Sequence, residues 1–448
     1  MAAVAAELRR DGISVTGSDK GFYPPMSDFL KQQAISTFQG FHPDNIPDNT
    51  LIVVGNSVSR GNPELEYALN LRLPMISLPE LIANRYLSHR SSVVVTGTHG
   101  KTTTTAMLAH ILREDHHDPG WMIGGIPTDL PVPCHLGKGD EFVIEGDEYD
   151  IVYWDKRPKF LLYKPRHAII NSVEFDHADI YNDIEAIELQ FRRFVRLLPK
   201  SGTIIANGDS ALVQEICKDA LCTVITFGVG DHNDWRLEYD TGQNVDTAMI
   251  TDPNGNQSEL KSGLPGKHNL MNGLASTVMA VNLDVKIESA LSALQDFKGV
   301  ARRLETIRQG SELTIYDDFA HHPTAIKTTL ETVALRHPDQ PIWALLEPRS
   351  NTMVRSHFTQ PLIDGLKQAD VVLLGKVHRS DAIPKKLRLD RVFLAESLKK
   401  LGKQVWIGDT VDSMIIYLQK NLSGGEVLVM MSNGSFDGLR DRLSEMKL

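Results

Sequence analysis

Residues 93–105 read VVVTGTHGKTTTT. An apolar β-branched run, a glycine-bearing turn and a stretch opening Lys-Thr-Thr describe a strand, a phosphate-binding turn and a helix start. Glycines let backbone amides come close to an anion, and a helix N-terminus adds positive potential there. The candidate nucleotide site is therefore Gly97, Thr98, Gly100, Lys101, Thr102 and Thr103. Lys101 would reach terminal phosphates, and the Thr102 hydroxyl is placed for Mg²⁺. The loop is short. The common version carries a glycine where this chain has Val95, and here Gly97 is the glycine nearest to Gly100.

Further along, FVIEGDEYD (142–150) is an apolar strand running into acids. Alone, EGDEYD reads as a solvated acidic loop. Beside a phosphate loop, which needs a metal carboxylate, Glu145 becomes the candidate partner of Thr102. HAIINSVEFDH (167–177) ends in His177, a candidate for a second metal or for positioning a phosphate. GKHNLMNG (266–273) opens a helix; His268, Asn269 and Asn272 can be helix caps or can read an adenine edge, and both readings stand. ARRLE (301–305) offers two arginines that could clamp a phosphate. In YDDFAHHPTAI (316–326), Asp318, His321 and His322 follow a strand, and Pro323 suits a first helical turn, so one of the two histidines is expected to be structural. EPRSNTM (347–353) supplies Arg349 for a carboxylate and Ser350 and Asn351 as adaptable hydrogen-bonding groups.

These residues fall at the ends of strand-like runs, which is where open parallel sheets bind ligands. Residues 1–90 alternate short strands, such as TLIVVGNS and LPMISLPE, with helical patterns. Residues 91–298 form a second α/β unit with a turn-rich, β-like stretch at about 222–265. From 299 to 448, LTIYDDF, IWALLE, DVVLLG, QVWIG and EVLVMMSNG are five strand candidates separated by helices. The expected fold is α/β in three domains. A Rossmann-like N-terminal domain comes first, then a central P-loop ATPase domain with a mostly parallel sheet, then a C-terminal Rossmann-like domain. MAAVAAELRRDG reads as a helix already under way before ISVTGSD, so a first strand and glycine loop are expected to be lacking.

The net charge of −10, from 47 basic and 57 acidic residues in 448, lacks the basic surplus of a nucleic-acid binder. Cys134, Cys217 and Cys222 form no C-x-x-C pair, which suits a reducing cytoplasm. No apolar run approaches the ~18 residues of a membrane span. The expectation is a cytoplasmic protein with neither nucleic-acid nor membrane partners.

Taken in order, GTHGKTTTT, EGDEYD, DHAD, GKHNLMN, RRLE and DDFAHHPTAI resemble the Mur ligase family, the ADP-forming amide ligases of bacterial cell-wall synthesis. TGSD and SVSRGNPE extend the resemblance to nearly the whole chain. Within the family, DKRPKF, EFDHADIY, DDFAHHPTAI, EPRSNTM and SNGSFDG are most similar to the branch that joins UDP-N-acetylmuramate to recycled L-alanyl-γ-D-glutamyl-meso-diaminopimelate. The nearest other branch adds L-alanine to the same nucleotide sugar. The resemblance implies ATP and Mg²⁺ as cofactors and the nucleotide sugar and a cell-wall tripeptide as partners; a monomer is expected. The muramyl carboxylate would take the γ-phosphate, and the peptide amine would then displace phosphate from the acyl phosphate. By resemblance, Lys101, His177 and His321 serve catalysis, and Thr102, Glu145 and His177 hold metal. His268, Asn269 and Asn272 read adenine, Arg303 and Asp318 contact ATP, Arg349 and Asn351 face the peptide, and Asp19 and Ser57 line the sugar-nucleotide pocket. One departure stands out: ELQFRRF, about fifteen residues past DHAD, has no lysine where some members carry a carbamylated one. A kinase or regulatory NTPase would turn over ATP without an amine. A catalytically dead sugar-nucleotide binder would not keep Lys101, Thr102, Glu145 and His177.

Overall fold

Short apolar runs become strands wherever β-branched residues are flanked by glycine, proline or asparagine. The computed structural model describes residues 1–22, 26–239, 246–378 and 383–446. Residues 240–245, the tip of the expected turn-rich stretch, lie outside them. Contacts gather the chain into two compact units. The first comprises Met1–Val173, Glu185–Trp235 and Ala275–Ala293; the second comprises Glu174–Ile184, Arg236–Leu274 and Leu294–Leu448.

The first unit opens with helix α1 (Ala2–Arg10) and four short strands, β1 (Thr16–Asp19), β2 (Ser36–Gln39), β3 (Ile52–Val54) and β4 (Met75–Ser77). They pair in parallel, β1 with β2 and β3 with β4. A larger sheet follows, built on β5 (Ser91–Thr96), β6 (Gly120–Met122), β7 (Cys134–His135), β8 (Glu141–Glu145), β11 (His167–Ile170), β12 (Thr203–Asn207) and β13 (Thr223–Gly228). Its order is β13-β12-β11-β5-β8-β6-β7, parallel except for the edge pair β6–β7. Between β8 and β11, β9 (Asp150–Val152) and β10 (Asp155–Pro158) make a small antiparallel pair. Central strands covered on both faces must be apolar throughout, and Val93, Val94, Val95, Ala168, Ile169 and Ile170 have no exposed surface.

The second unit, from Arg236 on, holds an antiparallel meander of β14 (Trp235–Tyr239), β15 (Thr247–Thr251) and β16 (Gln257–Lys261). The C-terminal sheet runs β17-β18-β22-β19-β20-β21, where β17 is Glu305–Arg308, β18 Leu313–Asp318, β19 Ile342–Leu346, β20 Val371–Leu374, β21 Gln404–Ile407 and β22 Glu426–Met431. Five strands are parallel, as the apolar runs led one to expect; β17 is an added antiparallel edge. Side chains alternate across the sheet. Val427, Val429 and Met431 join one core with Ile326, Leu330, Leu362 and Leu394. Leu428 and Met430 join the opposite core with Trp343, Leu418, Leu439 and Leu443. No described helix is long and apolar enough to cross a membrane.

Candidate active site

In the first unit, β5 delivers the chain into the Thr98–Gly100 turn, and the helix Lys101–Glu114 leaves from it. Two glycines make the turn possible. Gly100, the helix N-cap, has φ +78°, and Gly97 has φ +126°. A Cβ on Gly97 would lie 2.7 Å from the Ser172 carbonyl oxygen and 2.9 Å from its nitrogen, so no side chain fits. Below the turn, Asn171 donates to Thr104 Oγ1 (3.0 Å) and to the His99 carbonyl (3.4 Å), and Thr98 N–H donates to Ser172 O (2.6 Å). The turn is therefore held rigidly from the end of β11.

Parallel pairing of β5 and β8 sets Val95 opposite Glu145. This brings Glu145 to the loop, where Thr102 Oγ1 lies 3.0 Å from both of its carboxylate oxygens. Gly124 N–H donates to the same carboxylate at 2.9 Å. A hydroxyl and a carboxylate converging beside backbone amides are hard oxygen donors, the chemistry Mg²⁺ selects. The glycine cradle with Lys101 at its mouth suits a phosphate chain. The residues present thus fit a Mg²⁺-nucleotide. Lys101 Nζ is folded back onto Gly97 O (2.7 Å), Thr98 O (3.3 Å) and both oxygens of Glu148 (2.9 Å each). Burial pulls the Lys101 ammonium down, but Glu148, Asp147 and Glu145 outweigh it and hold its pKa above the ordinary range. Asp147 is paired with Lys159 (2.6 Å), and the two lysines 159 and 101 keep it ionised against burial.

The second unit carries the DHAD segment, Glu174–Ile184, together with the loops after β18 and β19. Asp176 is buried. It accepts from the His177 backbone N–H (2.7 Å) and from the Thr352 hydroxyl. Burial raises the Asp176 pKa, yet His177, His321 and Thr352 hold it well below the carboxylate range. His177 itself sits at φ +54°, a left-handed conformation uncommon outside glycine. His321 Nδ1 lies 2.9 Å from Phe319 O. A carbonyl only accepts, so Nδ1 carries the proton and Nε2 presents a lone pair. Burial pushes the His321 pKa down to about 4, so the ring is neutral.

His322 is the member of the histidine pair that caps a helix. Its Nδ1 caps the helix Pro323–Arg336 by accepting from Thr324 N–H, and its Nε2 reaches Phe175 O at 3.3 Å. Asp318 is buried and its two oxygens accept from Leu304 N–H (2.6 Å), Ala320 N–H (2.7 Å) and Thr329 Oγ1 (3.3 Å). Burial, incompletely offset by Arg303, raises its pKa. The Arg303 guanidinium lies 5.0 Å from the Phe319 ring centroid. In EPRSNTM, Arg349 pairs with Glu347 (3.2 Å), Ser350 Oγ donates to His321 O (2.8 Å) and Asn351 Nδ2 donates to Asp179 (2.8 Å).

Of the remaining candidates, Asn269 and Asn272 are buried in the first turns of the helix Lys267–Asn282, with Asn269 Nδ2 on Pro265 O (2.7 Å) and Asn272 Nδ2 on Asn269 Oδ1 (3.4 Å). His268 beside them is half-buried. Thr103 is buried behind the loop. Asp19 ends β1 and Ser57 follows β3, both exposed. Glu148, Asp176 and Thr352 were not singled out from sequence. Glu148 and Asp176 stand inside the quoted acidic motifs, but nothing local marked the residue that matters; Thr352 carries no signal of its own.

Three sequence profiles match consecutive stretches: the Mur ligase family catalytic domain at residues 1–89, the Mur ligase middle domain at 95–280 and the Mur ligase glutamate ligase domain at 302–434. The UDP-N-acetylmuramate–L-alanyl-γ-D-glutamyl-meso-2,6-diaminoheptandioate ligase of Escherichia coli K12 is 39% identical over 99% of this chain and 95% of its own. The UDP-N-acetylmuramate–L-alanine ligase of Carboxydothermus hydrogenoformans is 32% identical over 98% of this chain and 92% of its own. The crystal structure of a murein peptide ligase from Psychrobacter arcticus 273-4 superposes with a TM-score of 0.76 at 32% identity, covering 100% of this chain and 97% of that one. With the glycine loop, its lysine and the Thr102–Glu145 pair in place, the chain belongs to the Mur ligase family and has its three-domain α/β architecture.

Proposed function

We propose that this ligase joins the amine of L-alanyl-γ-D-glutamyl-meso-diaminopimelate to the lactyl carboxylate of UDP-N-acetylmuramate, with ATP cleaved to ADP and phosphate, in peptidoglycan recycling. The observation that carries the reading is the end-to-end match at 39% identity to a ligase named for that tripeptide. The rigid Gly97–Thr102 loop supports the nucleotide part of it. A single L-alanine as acceptor is the second reading, favoured by the 32% match to an L-alanine ligase.

Chain order supports residues 1–90 as the sugar-nucleotide domain, with Asp19 and Ser57 in its pocket, residues 91–298 as the ATP domain, and 299–448 as the domain that brings the amine. Gly97, Thr98, Gly100, Lys101, Thr102 and Thr103 cradle the phosphates, and Lys101 leaves Glu148 to meet them. Thr102 and Glu145 would hold one Mg²⁺ and His177 a second; Mg²⁺ supplies charge neutralisation on the transferring phosphoryl group. The lactyl carboxylate oxygen bonds to the γ-phosphorus as ADP leaves. The peptide nitrogen then bonds to the acyl carbon, loses a proton, and phosphate departs with the former carboxylate oxygen. The neutral His321, with its Nε2 lone pair, and Arg303 act near the reacting groups. Asp318 acts through the backbone it anchors. His268, Asn269 and Asn272 would face adenine, and Arg349 and Asn351 the peptide carboxylates. Positioning and fixed charge supply most of the catalysis in such a site. The enzyme would work as a cytoplasmic monomer.

Phosphate release with ATP, Mg²⁺ and UDP-N-acetylmuramate tests this directly. Release that needs the tripeptide and is slow with L-alanine is expected. Preference for L-alanine would keep the chemistry and replace the acceptor; release with no amine at all would remove the ligase reading.

A further inference from the structure

The Glu174–Ile184 segment follows β11 in sequence, yet it groups with the C-terminal sheet rather than with the phosphate loop. A row of side chains holds it there. Thr324 Oγ1 donates to Glu174 (2.7 Å), and His322 Nε2 reaches Phe175 O (3.3 Å). The Phe175 ring stacks on Phe358, centroids 6.1 Å apart and 10° from parallel. Thr352 donates to Asp176, and Asn351 donates to Asp179 at 2.8 Å. His177 stands at the centre of this row. Its own backbone is left-handed, and its N–H is tied to Asp176.

A left-handed non-glycine residue is strained and persists only where its surroundings fix it. Here the fixing group is the Asp176 carboxylate, buried and ionised, and the donor that holds that carboxylate from the far side is Thr352, 1% exposed. Thr352 and Asn351 belong to the same heptad as Arg349, the residue assigned to the acceptor's acidic groups. We infer that Thr352 and Asp176 are positioning residues for His177, and that the EPRSNTM loop thereby couples occupation of the acceptor site to metal binding at His177. The inference rests on the ligase reading, in which His177 takes a second metal. Coupling of this kind is reciprocal: acceptor tightens metal by the factor by which metal tightens acceptor.

The test is Mn²⁺ binding to the full chain, followed by electron paramagnetic resonance, with a non-hydrolysable ATP analogue and UDP-N-acetylmuramate present. Wild type is expected to bind two Mn²⁺, the weaker one tightening when the tripeptide is added. Outer residues that orient a metal ligand typically change affinity about 10–100-fold. Thr352→Val should therefore weaken the second Mn²⁺ by at least about tenfold, and Thr352→Ser should restore it. Asn351→Ala, at an exposed position that leaves the core intact, should weaken it less and abolish the tightening even at tripeptide concentrations that saturate the variant. Two Mn²⁺ with unchanged affinity in both Thr352→Val and Asn351→Ala would overturn the inference and leave the ligase reading standing. A wild-type protein that binds a single Mn²⁺ would overturn the metal role of His177 and the inference with it.

Discussion

Lys101 Nζ lies 2.9 Å from each carboxylate oxygen of Glu148, inside a pair whose side chains are 13% and 3% exposed. The lysine that should hold phosphate is thus already neutralised, and a nucleotide has to take it from Glu148. Removing one partner of a buried ion pair costs about 3–5 kcal/mol, because the other is left uncompensated. Glu148→Gln should accordingly lower thermal stability of the protein without nucleotide. Saturating Mg²⁺-ATP should recover most of the loss, since phosphate oxygens replace the missing carboxylate. Differential scanning fluorimetry with and without nucleotide reads both. An equal deficit in the two conditions would mean that the carboxylate and the phosphates do not compete for Lys101.

Thr102 and Glu145 converge at 3.0 Å, and Gly124 N–H fixes the carboxylate from the other side. Thr102→Val and Glu145→Gln should each reduce kcat by roughly 10²–10³, as lost electrostatic groups at a reacting phosphate do. Thr102→Ser should retain most activity. Gly124→Ala should act in the same direction, because its Cβ would lie 2.5 Å from Glu145 Oε2. Mg²⁺ titration of phosphate release would show the requirement rising in all three damaging variants; unchanged Mg²⁺ dependence would remove the pair from the metal site.

Gly434, in SNGSFDG, touches Arg349. A Cβ there would come within 2.3 Å of Arg349 Nε and 2.6 Å of Cζ. Gly434→Ala should push the guanidinium off its present position while the phosphate loop stays as it is. The expected result is a tripeptide KM raised about tenfold with the ATP KM unchanged, the size of one lost charged contact. Steady-state kinetics in each substrate separates the two. A matching rise in both KM values would place the defect in the fold instead.

Burial, helped by Arg166, holds His167 at the start of β11 down to about 4. Its ordinary value is about 6.5. The unfolded chain therefore binds a proton between pH 6.5 and 4 that the folded chain refuses, so stability is full above 6.5 and falls as pH drops through that window. The loss from this group is at most about 3 kcal/mol. Urea midpoints at pH 7 and pH 5 should fall less in His167→Gln than in wild type. Parallel declines would assign the acid sensitivity to other groups, of which His321, depressed to the same value, is the first to examine.

What the sequence made legible follows from burial. β5, β8, β11, β18, β19, β20 and β22 are covered on both faces, so each is an apolar run that breaks abruptly into polar residues at its carboxyl end. The Gly97–Gly100 turn between strand and helix, and Glu145 at the end of the neighbouring strand, could be read for that reason. β17 could not, because Glu305–Arg308 is an antiparallel edge with no apolar run. Pro323 marked a helix start in the sequence, and the structure makes His322 its N-cap. Asp318 was placed at a strand end, but the sequence did not tell that both oxygens are taken by Leu304, Ala320 and Thr329. Asp176 and Thr352 meet across 176 positions of chain. No local pattern encodes such a contact.

Anchoring the DHAD segment on Asn351 and Thr352 also constrains how this enzyme can change its diet. A transplanted heptad without an amide at position 351 and a hydroxyl at 352 would arrive without the donors that Asp176 and Asp179 now use. Such a graft would loosen residues 174–184 along with the acceptor loop. Drift in one stretch has to be matched by drift in the other, so residues 174–184 and 347–353 form a single heritable cassette, to be exchanged together by anyone redesigning the acceptor.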